Sequence, residues 1–194
     1  MTGAPFVATG PSLKLAFHGP ACGMVAVRGM HRLRPGSSCP EFPGAAMKAT
    51  TLLERHHRNL QQLCEAVERG SAGVRASLLP QLANDLAAHM AVEAQLFYPA
   101  IGAALGEETW AVEGRLRHAQ VTVSLEQALR ASVEGAEFER AIAELRTALE
   151  LHAEEEEEGL FARVEHALDA GASRELARTM MSLYHSKVEA GYAR

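Results

Sequence analysis

From residue 51 onward, apolar side chains recur at spacings of three and four, with Glu, Arg, Gln and small residues between them. That period marks amphipathic helices with one face turned inward. Five segments follow. Segment A spans 51–69 and stops at Gly70. Segment B spans 79–105, with Pro80 tolerated in its first turn. Segment C spans 107–131, and segment D spans 137–170 with Gly171 as its stop. Segment E runs from Ser173, an N-cap candidate, to about residue 190. Ala, Leu, Glu and Arg dominate while Val and Ile are sparse, so no strand pattern competes. Four long helices with short loops predict an all-α, antiparallel up-down four-helix bundle. Segment E becomes an additional C-terminal helix on its side or end.

Residues 1–46 break the pattern. They hold six of the eight prolines and show no helical period, so they read as an irregular, disordered N-terminal extension. Lys14 and His18 interrupt its apolar part, which argues against a signal peptide. The alternative is that the protein starts at Met47, where the helical pattern begins. Residues 47–194 form the folded domain on this reading.

The apolar seams carry an anomaly. On segment A the seam reads Leu53, His57, Leu60, Cys64, Val67; His56 is turned about 100° away. On segment B it reads Leu79, Leu82, Leu86, His89, Glu93, Leu96. On segment C, His118 lines up with Val121, Leu125 and Leu129. On segment D the seam is Phe138, Ile142, Leu145, Leu149, His152, Glu156, Leu160. Every seam is interrupted by one His, and two of them by a Glu four residues later.

A His and a Glu four apart sit on one helix face and form a two-ligand clip. A lone His on a helix is usually a satisfied structural residue. Four His and two Glu on four inward seams are different, because an ionised carboxylate in a core costs several kcal/mol unless paired or bound to metal. A cation compensates. Imidazole with carboxylate suits iron, and also manganese or zinc. Six side chains exceed one four-coordinate zinc and suit two ions sharing carboxylates. Within the run Glu154 to Glu158, the seam favours Glu156, and Glu157 is its rival.

Composition adds limits. The chain has 194 residues, 47% hydrophobic content and a net charge of −5 without a basic cluster, which argues against nucleic acid or an anionic membrane as partner. No apolar run is long enough to cross a bilayer. Three cysteines without CxxC spacing read as reduced thiols in a cytoplasmic protein.

The chain resembles the hemerythrin-like family, also called the HHE cation-binding domain. The resemblance covers about residues 50–165 and rests on LLERHHR at 52–58, HMAVEAQLFYP at 89–99, Arg117-His118, and HAEEEEEGLF at 152–161. It implies two iron ions per chain, oxo- or hydroxo-bridged, in a non-haem centre. His57, His89, His118 and His152 would be terminal ligands, and Glu93 and Glu156 the bridges. Oxygen-carrying hemerythrins have a second His four residues after the third-helix His, where this chain has Thr122. One iron would then lose a ligand to water or another residue.

These features predict a protein that binds or senses oxygen, peroxide or nitric oxide, with a separate redox or signalling partner. A di-iron peroxidase or catalase-like enzyme and an iron storage or delivery protein are the alternatives. A metal-free polar network is a fourth reading, disfavoured by the burial cost.

Overall fold

The computed structural model describes residues 47–191, and the predicted extension lies outside them. Among the described residues the chain is entirely helical. Helix α1 spans Ala49–Arg69 and α2 spans Ala72–Val92. A π-helical turn, Glu93–Phe97, joins α2 to α3, Tyr98–Leu105. Helix α4 spans Thr109–Arg130 and α5 spans Ala136–Glu154. A second π-helical turn, Glu155–Leu160, joins α5 to α6, Phe161–Ala167, and α7 spans Ala170–Ala190. Residues 72–105 and 136–167 are therefore two long rods, each widened once in its middle.

Three boundaries differ from expectation. The first rod begins at Ala72 rather than at 79, so Pro80 lies inside α2 and not in its first turn. Pro80 and Ala76 are both exposed, so the Ala76 carbonyl that proline leaves without a donor faces water. The fourth predicted helix ends at Ala167, before 170. Asp169, not Ser173, caps α7: its carboxylate accepts from the backbone N–H of Gly171 (2.7 Å) and Ala172 (2.9 Å). Gly171 thus opens a helix instead of stopping one. Ser173 has a different task, accepting at Oγ from the Ala49 N–H and satisfying a donor that α1 leaves open.

The predicted seams are the observed interior. Leu53, Leu60, Cys64 and Val67 of α1 are buried, as are Leu79, Leu82 and Leu86 of α2. Val121 and Leu125 of α4 and Phe138, Ile142, Leu145 and Leu149 of α5 join them. These apolar residues divide into two clusters. One gathers Leu60, Leu82, Leu125, Phe138, Ile142 and their neighbours. The other gathers Leu53, Val92, Phe97, Ile101, Phe161 and Met180. Along α1 and the two rods, the inward His and Glu residues fall between the two clusters, so a polar layer is sandwiched by apolar ones. Each fully buried Leu or Phe contributes about 1.5–3 kcal/mol, which offsets the cost of that layer. Helix α7 packs along α1, α2 and the first π turn, with Met180 buried and Met181 and Leu183 partly so.

Candidate metal centre

Both π turns begin at the acids. The turn after Val92 opens on Glu93, and the one after Glu154 contains Glu156. A π turn inserts one extra residue per turn and is common at functional sites. Here it brings two consecutive aromatic or apolar residues inside where a regular helix would bring one. Phe97 and Tyr98 are both buried after the first acid, and Leu160 and Phe161 after the second. Phe161 lies parallel to the His57 ring at 6.1 Å, and Phe97 meets Phe161 edge-on at 5.9 Å. Phe97, Leu160 and Phe161 thus join one apolar cluster beside the acids, while Leu96, predicted on the seam, is only partly buried.

His57, His89, Glu93, His118, His152 and Glu156 are all buried and converge. The ligand atoms of His57, His89, Glu93 and His152 lie within 4.8 Å of one another. Glu93 sits at the centre and divides its oxygens. Oε1 faces His89 Nε2 at 3.2 Å and His57 Nε2 at 3.7 Å. Oε2 faces His118 Nε2 at 2.8 Å and His152 Nε2 at 3.5 Å. Glu156 divides likewise: Oε2 lies 3.6 Å from His57 Nε2, and Oε1 accepts a 2.6 Å hydrogen bond from the Tyr98 hydroxyl.

Glu157 points elsewhere. Its side chain is 36% exposed and its Oε1 lies 2.8 Å from His57 Nδ1. His57 holds the Glu157 carboxyl below its ordinary range, so the acid is ionised and can only accept. The proton is therefore on Nδ1, and Nε2 is turned toward Glu93 and Glu156.

The electrostatics are those of a crowded, dry site. Burial disfavours an ionised Glu93, but His89, His152 and His118 outweigh it and hold the carboxyl well below its usual range. Burial and the charge on Glu93 push Glu156 up to about 8. Burial opposes charge on His57 too, yet the hydrogen bond to Glu157 and the nearby Glu93 and Glu156 carboxyls raise it to about 9. Burial lowers His89 well below its ordinary value, against the pull of Glu93. Burial, with Glu93 and Glu156 nearby, drives the Tyr98 phenol far upward, so it stays protonated and donates.

Three atoms aimed into the centre have no hydrogen-bond partner: His57 Nε2, Glu93 Oε1 and Glu156 Oε2. Buried polar atoms are almost always satisfied. A cation accounts for all three, because donors sharing one ion at about 2.0–2.2 Å stand just over 3 Å apart. The residues fit a bound metal.

Other residues resolve differently. His56 is buried, against the expectation that it turns away from the interior, but its ring packs on Tyr184 of α7 at 4.2 Å. Burial lowers its pKa to about 4. The Thr122 hydroxyl donates to the His118 carbonyl at 2.7 Å, back along its own helix. His166 and His185 are exposed, and Trp110 packs at the edge of the second apolar cluster. Tyr98 escaped the sequence reading altogether. Its signal was the residue after the Leu-Phe pair, which only a π turn brings inside. Gly114 of α4 makes room for it: a Cβ there would overlap the Tyr98 ring and hydroxyl.

Residues 48–180 match the family model described as the hemerythrin HHE cation binding domain. The chain belongs to that family. A crystal structure of a hemerythrin HHE cation binding domain-containing protein from Mycobacterium kansasii is similar to this HHE chain with a TM-score of 0.66 and 24% identity, covering 74% of this chain and 89% of that one. The likeness carries the hemerythrin-like fold. No curated protein matches the chain. Among the described residues no helix is long and apolar enough to cross a membrane.

Proposed function

We propose that this HHE domain is a di-iron protein that binds or senses a small oxidant such as oxygen, peroxide or nitric oxide. α1, the rods 72–105 and 136–167, and α4 would form an antiparallel up-down four-helix bundle, with α7 packed outside. His57, His89, His118 and His152 would be terminal ligands, and Glu93 and Glu156 the bridges. The observation that carries this is the division of the Glu93 oxygens, one toward His57 and His89 and the other toward His118 and His152. One carboxylate between two histidine pairs is the arrangement two ions need. Bound iron would supply open coordination positions and one-electron chemistry. The protein's part is to orient the ligands, exclude water and hold a proton on the Tyr98 hydroxyl beside Glu156.

The domain would work in a reducing compartment, which the free, buried thiol of Cys64 fits, and any signal or electron would pass to a separate partner. A second reading, a peroxidase or catalase-like enzyme, draws on Thr122. Its hydroxyl is engaged by its own helix, so one side of the centre has fewer protein donors and more room for a reacting ligand.

Metal analysis of protein purified without added metal tests the core of the proposal. About two irons per chain are expected from the donor count; one zinc and no iron would sink it. Oxygen added to the reduced protein then separates the readings. Visible bands that reverse on deoxygenation favour binding or sensing, and irreversible oxidation with peroxide consumption favours the enzyme. Glu93→Ala is expected to abolish two-metal binding.

A further inference from the structure

The six candidate ligands are not equally enclosed. The side chains of His89, Glu93, His57, His152 and Glu156 are 0–6% exposed, whereas His118 reaches 11%. The centre therefore comes nearest to solvent on the α4 side. There the Tyr98 ring stands 5.8 Å from the His118 ring, with its hydroxyl on Glu156. The outer edge of Tyr98 lines a cleft of about 710 Å³ between α3 and α4. Gly102, Ala103 and Ala111 leave this cleft wide, and Arg115 and Glu108 stand at it too. One side chain thus separates a surface cleft from a candidate bridging carboxylate.

We propose that this cleft is the portal to the metal centre and that Tyr98 is its gate, closed by the notch at Gly114. The inference rests on the metal-binding reading above. The ring is held by one hydrogen bond at its tip, and on the α4 side it packs in the space that Gly114 leaves, beside the His118 ring. Swinging it outward into the cleft breaks the bond to Glu156 and opens a path for a two- or three-atom ligand. Arg115 draws anions to the mouth against the opposing charge of Glu108. A second groove, of about 740 Å³, runs along α4 and α5 past Leu116, Leu151, Glu154 and Glu158. None of the six candidate ligands lines it, and its four acids outnumber Arg117 and would repel an anion, so it serves as the control.

The probes are azide binding to the metal-loaded protein, followed by stopped-flow absorbance, and cobalt(II) uptake by the metal-free protein. Tyr98→Ala is expected to raise both rates by about tenfold or more, since removing a gate acts on the association step. Ala103→Trp, at an exposed position in the cleft, should lower both rates. Leu151→Trp in the other groove should change neither, and circular dichroism checks that all three variants fold. Arg115→Ala should slow azide but not nitric oxide, most visibly at low salt. If Leu151→Trp slows entry while Ala103→Trp does not, or if no variant moves either rate, the portal is wrong. Wild-type protein that takes up cobalt through this route yet never binds azide would leave the portal standing and overturn the small-ligand reading. Wild-type protein that takes up no metal would overturn both.

Discussion

His57 holds Glu157 at 2.8 Å through Nδ1 and presents Nε2 to Glu93 and Glu156. The ionised acid needs a donor on the nitrogen facing it, so Nδ1 keeps its proton and Nε2 is the nitrogen left for a metal. Removing such an outer partner of a metal-binding histidine typically costs about 10–100-fold in metal affinity. Glu157→Ala should therefore weaken metal binding by roughly that factor while keeping the number of ions bound. Competition against a chelator of known affinity measures the first, and metal analysis the second. Loss of an ion outright would mean that Glu157 is a ligand.

Gly114 and Tyr98 form a pair with opposing expectations. Helix propensity alone predicts that Gly114→Ala stabilises α4 by about 1 kcal/mol. Overlap with the Tyr98 ring predicts a loss of about 1–3 kcal/mol instead. The overlap should win, and the melting temperature should fall. In the background of Tyr98→Ala the same change should become stabilising. A double-mutant cycle reads this coupling directly, and no coupling would mean that the notch does not hold the ring.

The interior was largely legible because three- and four-residue spacing determines which side chains share a helix face. That rule placed His57, His89, Glu93, His118, His152 and Glu156 on inward seams, and all six are buried. It separated Glu156 from Glu157 even though both lie within the second π turn, because they are near its start and little of the extra rotation has accumulated there. The rule failed just beyond each acid. A π turn has no composition of its own, so a uniform 100° step put Leu96 inside and missed Tyr98. It failed also at His56, where α7 covers a face that four helices alone would leave open.

His56 and Tyr184 give a test of that cover. Burial holds the His56 imidazole neutral, with a pKa of about 4, and Tyr184 of α7 packs over it. Nothing directs a His56 nitrogen at Glu93 or Glu156. His56→Ala should keep the full metal content while lowering stability by about 1–3 kcal/mol through lost packing. His57→Ala should lose metal. The reverse result in metal analysis would transfer the α1 ligand to His56.

Asp169 and Ser173 cap two different helices, α7 and α1. Each replacement by Ala should cost about 0.5–2 kcal/mol, with Asp169 acting locally and Ser173 across the contact between α1 and α7. The two caps share no acceptor or donor, so the losses should add. Denaturant melts of the two single variants and the double variant check this. Additivity failing by more than about 0.5 kcal/mol would show that α1 and α7 form one cooperative end.

The pH response follows from protons held in the metal-free centre. His57 is raised from 6.5 to about 9, and Glu156 from 4.5 to about 8. His152 is raised as well. Above the unfolded histidine value, the folded chain retains protons that the unfolded chain has released. Stability then falls as pH rises, because it rises with pH only where the unfolded state binds more protons. The metal-free protein should lose melting temperature steadily between pH 7 and 9. Metal binding must expel the same protons, so affinity should climb over that window and proton release should be largest near pH 7. Loaded protein should therefore melt at a temperature that holds or rises where the metal-free protein declines. Calorimetry at several pH values, with buffers of different ionisation enthalpy, measures both the melting shift and the protons released. Parallel curves with and without metal would mean that these groups do not lose their protons to a bound ion.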